Sequence, residues 1–114
     1  MVIESVYSLD GNIGNLPKAR ALCDKYNILL VVDEAHGLGA LGKTGRGIQE
    51  YYNMIGAPDV ICGSFTKSFG SVGGYISASD EIIQYMEFFA QGNMFSAPLS
   101  AYHAGAALEA FRKL

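Results

Sequence analysis

The chain has 114 residues, half of them hydrophobic, and a formal net charge of −3. That fits one small globular domain or a piece of a larger one. It excludes the basic surface of a nucleic-acid binder and the cationic face of a protein drawn to anionic membranes.

In chain order, "VIESVYS" (2–8) is rich in β-branched and aromatic residues and predicts a strand, followed by a turn at "DGNIGN" (10–15). A helix is expected over 16–26, with Asn15 as its N-cap and Pro17 in its first turn. "ILLVV" (28–32) is continuously apolar, as a strand buried on both faces should be, and is far too short to cross a bilayer. A glycine-rich loop and a short helix near 48–54 follow. Strands are expected at 59–65 and 74–78. The segment 80–90 predicts an amphipathic helix capped by Ser79, with Ile82, Met86 and Phe89 at helical spacing. A last helix over 98–114 puts Ala101, Ala104, Leu108 and Phe111 on one face. Cys23 and Cys62 match no zinc spacing and read as buried thiols of a reducing compartment. The first residues show no basic region ahead of an apolar stretch, so no signal peptide and a cytoplasmic location are expected.

Strands alternating with helices imply an α/β fold in three layers, a mainly parallel sheet with helices on both faces. In such sheets ligands bind beyond the carboxyl ends of the strands. Two apolar runs end in charged residues. "ILLVV" leads into Asp33, and "VICGSF" leads into Thr66 and Lys67. Lys67 is the only lysine or arginine between Arg46 and Arg112. Adjacent parallel strands would bring Asp33 and Lys67 to one edge of the sheet.

The loop "DEAHGLGALGKTGRG" (33–47) contains three familiar patterns: the helicase acidic box "DEAH", G-x-G-x-x-G, and the phosphate-loop pattern "GLGALGKT". Each needs a context that is missing here. A phosphate loop opens a helix whose N-terminus meets the phosphates, whereas Gly45 and Gly47 disfavour a helix directly after Thr44. The acidic box would also stand immediately before the phosphate loop instead of well downstream. A glycine-rich loop carrying one or two site residues is the better reading.

An amine and a carboxylate at strand ends suggest Schiff-base chemistry. Pyridoxal 5′-phosphate needs a lysine for its aldehyde and an acid against its pyridine nitrogen. Ser64, Thr66, Ser68 and Ser71 are hydroxyl residues available for phosphate contacts. "VYSLDGNIGNLP", "VVDEAHGLGALGKTGRG" and "GSFTKSFGSVGGYI" resemble, in order and spacing, consecutive blocks of the α-oxoamine synthases, which are pyridoxal-phosphate enzymes of the aspartate-aminotransferase type.

The resemblance implies that Lys67 holds the cofactor aldehyde and moves the substrate α-proton. It implies that Asp33 pairs with the pyridine nitrogen and His36 with the phenolic oxygen. Ser64 and Thr66 would sit beside the cofactor, Thr66 on its phosphate, and Ser8 near the ring. Ser96 would reach the phosphate of the neighbouring subunit of a homodimer. The implied reaction joins an amino acid to an acyl-CoA, in most family members with loss of carbon dioxide. "GKTGRGIQE" leans towards the serine-palmitoyltransferase-like branch. Glycine C-acetyltransferase, 8-amino-7-oxononanoate synthase and 5-aminolevulinate synthase remain open, as do an aminotransferase of the same fold and a non-catalytic fragment. Ser64 stands where the family more often has threonine, and "FSAPLS" lacks a double proline often found there. Family members are several times longer, so residues 1–114 read as the middle of the cofactor-binding large domain. The aromatic residue that stacks on the cofactor and the arginine that grips the substrate carboxylate would lie outside them. Glu34 reads as structural, and His103 as a helix residue outside the site.

Overall fold

The computed structural model describes residues 1–114. Strands β1 (Val2–Glu4), β2 (Val31–Asp33), β3 (Val60–Ser64) and β4 (Gly74–Ala78) form one sheet in that order. The first three run parallel, and β4 is antiparallel to β3. The helices are α1 (Leu16–Tyr26), α2 (Ile48–Tyr51), α3 (Asp80–Phe89), α4 (Gln91–Met94) and α5 (Ala101–Phe111). The expected α/β class with a mainly parallel sheet is what the chain forms. No helix is long and apolar enough to cross a membrane.

Helix α1 starts where the sequence places it. Asn15 Oδ1 accepts from the Lys18 N–H at 3.0 Å, satisfying one of the free donors of the first turn. The helix ends at Asn27, which takes the left-handed conformation with φ of 50°. Its buried residues Leu16, Ala19 and Cys23 recur at helical spacing and meet Leu30, Val32 and Ile48 in the core. Arg20 on the same helix pairs with Asp59, just before β3, at 2.9 Å. Asp59 also accepts from the Leu30 N–H at 2.6 Å. That hydrogen bond, with Arg20 beside it, holds the Asp59 carboxyl below its ordinary range.

The register divides the sheet into two faces. Val32 stands opposite Ile3 and Ile61, and Ile61 opposite Ser77. One residue on, Asp33 stands opposite Glu4 and Cys62. Side chains alternate along a strand, so Asp33 and Cys62 share the face opposite the one that carries Val32.

Several elements differ from the sequence expectation. "ILLVV" contributes Leu30 and Val32 to the core, but Val31 is half-buried and Ile28 and Leu29 are exposed, so within this chain the run serves one face. β1 ends at Glu4 because the chain doubles back. Val6 bridges Ile13, and Asp10 Oδ1 accepts from the Asn12 N–H at 3.1 Å, next to Gly11 at φ +71°. α2 stops at Tyr51, since Asn53 adopts a positive φ. Ala90 leaves the helical region and separates α3 from α4, an element not expected. Ser79 occupies the cap of α3 without a side-chain hydrogen bond to the helix, and no residue of α3 is fully buried. α5 begins only at Ala101, capped by Ser100, and its one buried residue is Ala107, which borders the expected stripe, while Ala101, Ala104, Leu108 and Phe111 on that stripe are exposed.

Candidate active site

The three parallel strands end at the same edge of the sheet. Ser8 follows β1, Asp33 and His36 lie at and after the end of β2, and Ser64, Thr66 and Lys67 at and after the end of β3. Ser96 lies between α4 and α5, its hydroxyl donating to the Gly92 carbonyl, and no bond joins it to the others.

Asp33 is half-buried as the last residue of β2. Its Oδ1 accepts from the Ala35 N–H at 2.8 Å and caps the turn that opens the glycine-rich loop. Its other oxygen makes no protein hydrogen bond. Cys62, its cross-strand neighbour, is half-buried with Sγ 3.7 Å from the Val32 carbonyl. Burial first, and the charge of Asp33 second, push that thiol up. Both cysteines are free, and only Cys23 is fully buried.

At the end of β3, Ser64 Oγ lies 2.6 Å from Thr66 Oγ1 and accepts from the Thr66 N–H at 3.1 Å. This local turn lifts Thr66 and Lys67 out of the sheet, and both are exposed. No carboxylate pairs with Lys67, the free lysine that the apolar context of "GSFTKSFG" singles out. His36 is half-buried and Ser8 exposed, each without a side-chain hydrogen bond. The hydroxyls of Ser68 and Ser71, which the sequence leaves available for a phosphate, are instead bonded to the main-chain oxygens of Leu38 and His103. His103 itself bonds Ser100 through Nδ1 at 2.8 Å, in the first turn of α5.

The glycine-rich loop folds around two carboxylates. Glu34 is 2% exposed, and its Oε1 accepts from the Ile48 N–H at 2.8 Å, the first donor of α2. Its Oε2 and the hydroxyl of buried Ser5 both face the space left by the absent side chain of Gly37. Gly47 has φ of +84° and lies against the same carboxylate, so only glycine fits there. Glu50 accepts from the N–H and hydroxyl of Thr44 and from the Arg46 N–H. Thr44 is thereby committed to Glu50, and the next helix starts at Ile48. The loop has no phosphate-loop geometry.

Burial raises the Glu34 carboxyl above its ordinary value, with the Ile48 N–H bond and the nearby Ser5 hydroxyl opposing. A raised folded value means that the folded state binds more protons in the window just above the ordinary carboxylate range. Stability therefore falls as pH rises through that window. Glu34→Gln keeps an acceptor for Ile48 and removes the charge, so its unfolding midpoint at pH 7 should equal or exceed that of the unsubstituted protein. Glu34→Ala strands the Ile48 N–H and should cost about 1–3 kcal/mol. Denaturant titrations at pH 5 and pH 7 check both. A Gln variant as damaged as the Ala variant would show that the charge itself is needed.

Residues 1–113 match the family model for aminotransferase class I and II. The chain belongs to this family. It is 41% identical over 114 residues to the 8-amino-7-oxononanoate synthase of Thermosipho melanesiensis, covering 100% of this chain and 29% of that enzyme. It is 41% identical over 113 residues to serine palmitoyltransferase 2 of Dictyostelium discoideum, covering 98% of this chain and 23% of that enzyme. A lysine-to-alanine variant of serine palmitoyltransferase from S. paucimobilis, solved with bound PLP–myriocin aldimine, superimposes with a TM-score of 0.91. The two are 32% identical, and the match covers 98% of this chain and 28% of that one. The 8-amino-7-oxononanoate synthase of Francisella tularensis gives 0.80 at 30% identity, covering 98% of this chain and 33% of that one. These relatives are of the kind that the sequence blocks resemble. The chain spans between a quarter and a third of the length of most of them.

Proposed function

We propose that residues 1–114 are the middle of the large domain of a pyridoxal-phosphate-dependent α-oxoamine synthase, a cytoplasmic homodimer that joins an amino acid to an acyl-CoA. The observation that carries this reading is the placement of Asp33 and Lys67 at the carboxyl ends of the neighbouring parallel strands β2 and β3. The names of the relatives support the reaction class.

The donor set suits the cofactor. Lys67 is an amine without a carboxylate partner, Asp33 keeps one oxygen free of protein hydrogen bonds, and Ser64 and Thr66 present two hydroxyls 2.6 Å apart. These complement an aldehyde, a pyridine N–H and a phosphate. When bound, pyridoxal phosphate supplies an electron sink for the carbanion formed beside the substrate nitrogen. In this reading Lys67 would hold the cofactor aldehyde and would also be the base that accepts the substrate α-proton. Asp33 keeps a proton on the pyridine nitrogen through its free oxygen. His36 would bond the phenolic oxygen, Ser64 and Thr66 would sit beside the cofactor with Thr66 on its phosphate, and Ser8 would lie near the ring. Ser96 reaches across the dimer to the second phosphate.

The test is release of the CoA thiol when the full-length protein is given an amino acid and an acyl-CoA. An aminotransferase would instead yield an oxo acid with no CoA released. The isolated 114 residues should release none, because the groups that orient the substrate carboxylate lie outside them in this reading. Turnover by the isolated chain would refute that division of labour.

A further inference from the structure

We propose that Ser68 and Ser71 are positioning residues that dock the Lys67 loop onto two distant elements and so fix the reactive amine relative to Asp33. The catalytic part of this inference rests on the function proposed above. The docking part does not.

Lys67 sits in the connection from β3 to β4, residues 65–73, which contains Gly70 at φ +58° and Gly73 at φ +102°. A connection of this composition is mobile unless something holds it. Its base is closed by the Phe65 N–H on the Gly73 carbonyl at 2.9 Å and the Ser71 N–H on the Phe65 carbonyl at 2.7 Å. Those bonds are internal to the loop and say nothing about where it points. Lys67 contributes no anchor of its own, being exposed and in no ion pair.

Three side chains after Lys67 provide the anchors. Phe69 is 5% exposed and lies edge-on to Phe65 and stacked on Phe111 of α5, with ring centroids 5.6 and 6.3 Å away. This contact is apolar and weakly directional. The two directional bonds flank it. Ser68 Oγ donates to the Leu38 carbonyl at 2.6 Å, in the loop that follows Asp33. Ser71 Oγ donates to the His103 carbonyl at 2.8 Å, in the first turn of α5. Both acceptors are main-chain oxygens far away in sequence, so each bond fixes the loop against a separate element.

A glycine makes the Ser68 bond possible. A Cβ at Gly39, which has φ of +82°, would lie 2.6 Å from Ser68 Cβ and 2.7 Å from its Oγ. The loop after Asp33 is thus hollowed where the Lys67 loop meets it. Docking there joins the loop that follows Asp33 to the loop that carries Lys67 directly, without passing through the sheet. A hydroxyl is needed at each position and bulk is not, so threonine should serve at 71 and alanine should not.

The experiment has two parts on the full-length protein. Without cofactor, amide hydrogen exchange over 66–72 should speed up roughly three- to ten-fold in Ser71→Ala and in Ser68→Ala, the weight of one neutral hydrogen bond each. Exchange in α1 and β2 should be unchanged, and Ser71→Thr should exchange like the unsubstituted protein. With pyridoxal phosphate added, the rate at which borohydride-trappable cofactor accumulates on Lys67 should fall by a similar factor in the alanine variants and recover in Ser71→Thr. Unchanged loop exchange in both alanine variants, or a threonine variant no better than alanine, would overturn the docking. Faster exchange with an unchanged trapping rate would overturn the positioning role. Absence of label on Lys67 in the unsubstituted protein would overturn the proposed function and leave exchange to decide the docking.

Discussion

Lys67→Ala in the full-length protein is expected to cut condensation by roughly 10²- to 10⁴-fold while still allowing pyridoxal phosphate to bind without a covalent link. The binding groups that remain, Asp33, His36, Ser64 and Thr66, come from other positions on the same sheet edge. Borohydride reduction and peptide mapping provide the decisive readout. The unsubstituted protein should carry the label on the peptide containing Lys67, and the variant should carry none. A solvated surface lysine would give the same map before and after substitution. Label on Lys43 would place the chemistry in the loop that Glu34 and Glu50 hold together, and would remove the case for the β3 edge.

The edge itself was legible because apolar runs that end in a charged residue name both the strand and its terminus. Asp33 closes β2, and Lys67 follows β3 by three residues. β4 was legible in full, since the glycines ahead of "GYISA" separate it from the loop. Helix α1 was legible through Asn15 and Pro17, which act on the nearest backbone groups. What failed depended on partners distant in sequence. "VYS" has strand composition, but Asp10, Gly11 and Asn12 turn the chain back before it can extend β1. α5 is alanine-rich and apolar around most of its circumference, so periodicity could not select Ala107 as the buried residue. The hydroxyls of Ser68 and Ser71 were visible near Lys67. Their acceptors lie some thirty residues away, and no local pattern announces them. Glu34 was legible as structural, but not as the buried acceptor for Ile48, because that bond forms only once the glycines at 37 and 47 let the loop close on it.

Asp33→Asn should act differently from Lys67→Ala, and the contrast separates an electronic role from an anchoring one. Asparagine keeps an oxygen for the Ala35 N–H, so the turn at the end of β2 should survive. Pyridoxal phosphate should still be trapped on Lys67 by borohydride. Without a carboxylate to hold a proton on the pyridine nitrogen, exchange of the substrate α-proton with solvent should slow by roughly 10²- to 10³-fold, far more than cofactor binding weakens. A second readout needs no cofactor. The Cys62 thiol is pushed up by burial and, to a lesser degree, by the charge of Asp33 across the β2–β3 pairing. Removing a negative charge favours the thiolate, so the Cys62 pKa should move down towards its ordinary value without reaching it, because burial remains. Alkylation rates measured against pH would follow this, with Cys23 silent in the core. If the thiol titration moves as expected and proton exchange does not slow, Asp33 is only a turn cap beside a cysteine. If neither moves, the carboxylate does not face the β3 edge, and the active site must be sought elsewhere on the sheet.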